Sequence, residues 1–125
     1  MKFRSESFIP HPRVAVFAAY RDRLPDVVPY LDDIAAVLVL AREEKDGAVR
    51  LHNEWRSARE VPTVMQALIK PDQLAWDDHA VWREADHTCT FEIKTRAFRD
   101  NVRCTGSDTF TEVPGGTRVV LEGDF

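Results

Sequence analysis

Four runs near the end of the chain decide the fold: LAWDDHAVWRE (74–84), TCTFEIKTRAF (88–98), VRCTGSDTFTE (102–112) and TRVVLEGDF (117–125). Each reads as a strand, rich in β-branched and aromatic residues. Between them stand Ala85-Asp86-His87, Arg99-Asp100-Asn101 and Pro114-Gly115-Gly116, all residues that tolerate turn geometry. Connections this short force sequential strands to lie antiparallel, side by side.

Moving toward the N-terminus, Ala48 to Arg59 alternates cleanly: Val49, Leu51, Asn53 and Trp55 on one face, Arg50, His52, Glu54 and Arg56 on the other. Ile34 to Glu44 lacks a helix cap and is rich in leucine and β-branched residues, so it reads as a strand that turns at Lys45-Asp46-Gly47. The connection from Pro62 to Lys70 carries an apolar stripe (Val64, Met65, Leu68, Ile69) and suits a helical turn, after which Pro71-Asp72 opens the next strand. At the start, Lys2 to Phe8 is a first strand ended by Pro10-His11-Pro12. Pro12 suits the first turn of a helix, where its missing amide hydrogen costs nothing. Arg13 to Asp22 then forms a short amphipathic helix, with Val14, Phe17 and Ala18 expected on one face. A second short helix, Pro25 to Asp32, is limited by Pro29. The order is strand, two short helices and six strands in a meander, an α+β architecture in one domain spanning 1–125.

Composition bounds the function. With 125 residues, 44% hydrophobic and 30% charged, the chain is an ordinary globular one with a single core. A formal net charge of −4 argues against nucleic acid, since phosphate binding needs a basic face. The N-terminus MKFRSESFIP has no apolar stretch long enough for a signal peptide, and the run Ile34 to Ala41 is far short of the ~20 residues a membrane helix needs. A cytoplasmic protein without membrane insertion is expected. Cys89 and Cys104 lie in no CxxC and read as reduced core thiols. His11, His52, His79 and His87 show no metal-ligand spacing, so neither a metal nor a cofactor is expected. His52 and His79 meet on the outer face near Glu54 and Asp77, in what reads as a solvated charged surface.

This order of elements resembles the SRPBCC superfamily, the START-like and Bet v 1-like proteins. The likeness is carried by IPHPRVAVFAAYRD after the first strand and by IKPDQLAWDDHAVWRE, TCTFEIKT and VRCTGSDTFTEVPGGTRVVLEGDF. The resemblance implies a helix-grip fold, a curved antiparallel sheet wrapped around a long C-terminal helix, enclosing a cavity for an apolar or amphipathic small molecule. It transfers no shared catalytic residues. No residues follow Phe125 to build the closing helix, so the expectation is either a fragment of a longer product or a homodimer that covers the open face of the sheet.

Candidate binding residues are those on the presumed inner face: Asn53, Trp55, Trp76, Asp78, Trp82, Phe91 and Phe110. Asp78 places a carboxyl in a row with Leu74, Trp76, Ala80 and Trp82, where loss of solvent disfavours its charge and leaves it free to anchor a ligand. The competing reading is a bulge at Asp77-Asp78 that turns both carboxyls to water. Asp108, near Ser107, has no histidine placed in sequence to complete a nucleophilic triad. Three functions fit: a carrier or sensor of a hydrophobic small molecule, a polyketide cyclase or dehydratase using an inward carboxyl, or an interaction module whose cavity is filled by Phe91, Ile93, Phe110 and the tryptophans.

Overall fold

The structure, a computed structural model, describes residues 1–59, 63–65, 67, 74–96 and 103–124. Its elements are β1 (Lys2–Ile9), α1 (Arg13–Asp22), a 3-10 helix (Leu24–Tyr30), β2 (Ile34–Lys45), β3 (Ala48–Ser57), a 3-10 turn (Thr63–Met65), β4 (Ala75–Arg83), β5 (Thr88–Thr95), β6 (Arg103–Val113) and β7 (Gly116–Asp124). The strands form one antiparallel sheet of seven, ordered β1-β7-β6-β5-β4-β3-β2. β2 to β7 are the expected meander. β1 closes onto β7 from Lys2 opposite Asp124 to Ile9 opposite Thr117, so the two ends of the chain lie side by side.

Turn chemistry explains the tight connections. Lys45 pairs with Ala48 across Asp46 and Gly47, whose φ angles are 54° and 76°. A two-residue loop with both φ positive matches the twist of the strands it joins, and Asp-Gly is the pair that tolerates it. Between β6 and β7 the two-residue loop is Pro114-Gly115, where only Gly115 has a positive φ (83°), the Pro-Gly pattern of a type II turn.

The core lies where α1 sits on the sheet. Phe17 is 2% exposed and makes edge contacts with Trp82 (5.4 Å) and Phe110 (5.3 Å), and Val16, Leu51, Ala80, Cys89 and Val119 complete the cluster. Thr117, fully buried, donates its hydroxyl to the His11 carbonyl at 2.8 Å and ties β7 to the start of α1.

Several expectations are corrected here. Val14 is 64% exposed, because the buried face of α1 runs through Val16, Phe17 and Tyr20 instead. The second helix is present as expected, from Leu24 to Tyr30, and it is of the 3-10 kind. Pro25 and Pro29 both lack the amide hydrogen an α-helical ladder would use. No bulge occurs at Asp77-Asp78, since β4 pairs in unbroken register with β3 and β5 through both residues. The irregularities fall in the edge strand β2, at Ile34/Ala36 and Val39/Ala41. The expected strand ends at Phe98, Val102 and Phe125, the turn Arg99-Asp100-Asn101, and Leu68 and Ile69 lie outside the described residues. Among those described, no helix is long and apolar enough to cross a membrane, and no long helix follows β7.

Candidate ligand-binding cavity

Strand register decides which side chains share the inner face. Asn53, Asp78, Ile93 and Cys104 stand opposite one another across β3 to β6. The next row runs Leu51, Ala80, Phe91, Gly106, Gly123 and Phe3, and the one after it Val49, Trp82, Cys89, Asp108 and Leu121. The two glycines make room for rings. A Cβ at Gly106 would stand 2.6 Å from the Phe91 ring, and one at Gly123 would collide with Phe3. Both rings therefore approach bare backbone, space that a side chain at either glycine would fill.

Above these rows is a cavity of about 350 Å³, bounded on the helix side by Tyr20 and Leu24. This volume falls at the lower end of the range for small-molecule sites, ~300–1,000 Å³. Of the seven residues singled out in the sequence, Asn53, Trp55, Trp76, Asp78, Trp82 and Phe91 line it. Phe110 does not. It is 2% exposed and packed beneath α1 against Phe17 and Tyr20, one row beyond the cavity. Asp108 and Tyr20 also line the cavity and were not among the sequence candidates. The parity of β6 carries the signal for Asp108, which lies two residues from the inward Phe110. For Tyr20 the signal is its spacing from Val16 and Phe17 on α1.

The polar groups here are short of partners. Asn53 is 2% exposed and its Oδ1 accepts no hydrogen bond; Asp78 Oδ1 and Trp82 Nε1 are likewise buried and unpaired. Asp78 Oδ2 accepts from Trp55 Nε1 at 3.4 Å, and Trp55 stacks on Trp76 with ring centroids 5.9 Å apart. Burial pushes the Asp78 carboxyl above its ordinary range, against the opposing hydrogen bonds from Trp55 and Asn53. Asp108 is pushed up to about 6, first by burial and then by the Asp78 charge. Burial, followed by the Asp108 charge, also raises Tyr20, and burial with both carboxyls raises Cys89, so neither ionises near neutrality. Chemically, the site offers two carboxyls able to exchange protons or accept hydrogen bonds inside an aromatic shell.

The outer face of β3 and β4 differs from the expected solvated surface. His52 and His79 do meet, stacked at 4.3 Å, and His52 Nε2 lies 2.9 Å from Asp77 Oδ1. Glu54 and Asp77, however, are only 4% and 5% exposed. Arg96 bridges them, reaching Asp77 Oδ1 at 3.4 Å and pairing directly with Glu54, while Arg56 holds Glu54 at 2.9 Å. Burial raises the Asp77 carboxyl, but the hydrogen bonds from His52 and Arg96 outweigh it and hold it below the ordinary range. Among the described residues no group of three or more His, Cys, Asp or Glu is placed to hold a metal.

The same architecture recurs among solved structures. The protein TTHA0849 from Thermus thermophilus superposes with a TM-score of 0.72 at 24% identity, over 99% of this chain and 73% of its own. The Zhui aromatase/cyclase from Streptomyces sp. R1128 matches at 0.66 and 14% identity, over 100% of this chain and 67% of its own. The STAR-related lipid transfer protein from Xanthomonas axonopodis matches at 0.62 and 15% identity, over 98% and 67%. The fold is the START-like, Bet v 1-like helix-grip fold. At these identities the likeness establishes the helix-grip fold alone. No family model matches the chain, and no curated protein matches it significantly.

Proposed function

We propose that this chain binds an apolar small molecule, without covalent attachment or cofactor, in the cavity between the inner face of the helix-grip sheet and α1. The observation that carries the reading is the pairing of an aromatic-lined space of about 350 Å³ with the unsatisfied Asn53 Oδ1, Asp78 Oδ1 and Trp82 Nε1. Buried polar atoms without partners are costly, and a ligand that supplies the missing hydrogen bonds recovers that cost on binding. Trp55, Trp76, Trp82 and Phe91 supply apolar contact, and Asp78 with Asn53 supplies the anchor.

A second reading is an enzyme of the cyclase or dehydratase kind, favoured by Asp108 at about 6, a value suited to proton transfer near neutral pH. Both readings have precedents on this fold, since two similar structures are named a lipid transfer protein and an aromatase/cyclase. A homodimer covering the open side of the sheet is the partner proposed with either.

Native mass spectrometry of the purified chain tests the binding reading and reads the oligomeric state in the same spectrum. A retained adduct of lipid or polyketide size supports it. A bare chain that also leaves its tryptophan emission unchanged when titrated with apolar fluorophores overturns it.

A further inference from the structure

Acceptors and negative charge are in excess within the cavity. Asn53 Oδ1 and Asp78 Oδ1 are buried acceptors without donors, and Asp108 adds a second carboxyl. Set against them are neutral donors: Trp82 Nε1, buried and unpaired, Trp55 Nε1, already given to Asp78 Oδ2, and the Trp76 and Tyr20 side chains. Among the described residues no lysine or arginine lines the space, and the Asp78 charge opposes the ionisation of Asp108. Around them stand Trp55, Trp76 and Trp82, a residue type whose ring quadrupole attracts cations.

We infer that the cavity selects an apolar molecule bearing a protonated amine, whose N–H groups bond Asp78 and Asn53 within the field of the Asp108 carboxyl while its body lies against the tryptophans. This rests on the binding reading above and names its ligand class. A cationic amine neutralises the repulsion between the carboxyls and satisfies the orphaned acceptors with charge-assisted hydrogen bonds. A carboxylate ligand adds a third negative charge beside two acids and leaves Asn53 Oδ1 unsatisfied. An uncharged alcohol gains the apolar contact without the ion pair.

Titration calorimetry of the full chain with naphthylmethylamine, naphthylmethanol and naphthoic acid, which share one apolar body, separates these cases. At pH 7.5 the amine is expected to bind at least about tenfold more tightly than the alcohol, and the acid more weakly than both. The amine's affinity is also expected to rise with pH through about 6, as Asp108 ionises. The groups facing Asp108 are Asp78 from β4, Cys89 from β5 and Tyr20 from α1, and the latter two stay neutral across that range. Asp108→Asn and Asp78→Asn, each checked for folding by circular dichroism, are expected to bring amine and alcohol to similar affinities. Equal binding of amine and alcohol by the unaltered chain, or preference for the acid, overturns the amine assignment and leaves hydrophobic binding standing. Failure of all three to bind overturns both.

Discussion

Asp108 is the residue whose environment most changes its chemistry. Its carboxyl is held at about 6 in the folded chain, against ~3.9 for an unfolded aspartate. Between those values the native state binds more protons than the unfolded one, so stability falls as pH rises from about 4 to about 6 and is level above. The native state is destabilised by on the order of 3 kcal/mol at neutral pH through this one group. Asp108→Asn is therefore expected to raise the urea midpoint at pH 7.5 and to flatten its dependence between pH 4 and 6. A lowered midpoint at pH 7.5 would show that the carboxylate has a stabilising partner. Retaining such a residue at a cost to stability is the pattern expected where function, not folding, sets the choice.

At the scale of elements, α1 is the one α-helix among the described residues, and it holds to the sheet mainly through Phe17. Three ring contacts converge there, from Trp82, Phe110 and His87. Phe17→Ala removes them and opens a cavity, a change that costs about 3–5 kcal/mol in well-packed cores. Val14, one turn before Phe17 on the exposed flank of the same helix and 64% exposed, is expected to tolerate alanine within about 0.5 kcal/mol. Urea unfolding of the two variants reads this contrast. Equal losses would place the buried face of α1 elsewhere. Because Tyr20 and Leu24 follow Phe17 along the same segment and form the helix-side wall of the cavity, loosening α1 should also weaken ligand binding.

On the whole-molecule scale, the pairing of β1 with β7 joins residues from the two ends of the chain. Such contacts require the closure of a very long loop before they contribute, so folding is expected in the millisecond-to-second range typical of sheets rich in distant pairings. Stopped-flow refolding followed by tryptophan emission measures it. A microsecond phase carrying the full amplitude would mean that the sheet forms from local contacts alone.

Alternation and turn residues were enough to locate all seven strands and the meander from β2 to β7. Both signals are local: a side chain's face follows from its parity along a strand, and Asp46-Gly47 or Pro114-Gly115 turns the chain regardless of what surrounds it. The same parity put Asn53, Trp55, Trp76, Asp78, Trp82 and Phe91 on one side. Tertiary structure alone decided that β1 docks on β7, that α1 covers one end of the sheet and leaves the other hollow, and hence that Phe110 is core while Asp108 and Tyr20 face the cavity. It also decided that Glu54 and Asp77, charged residues on the outer face, are buried, because Arg96 reaches them from just past the end of β5. A residue's parity is written in its own segment, whereas its burial depends on what another segment brings over it.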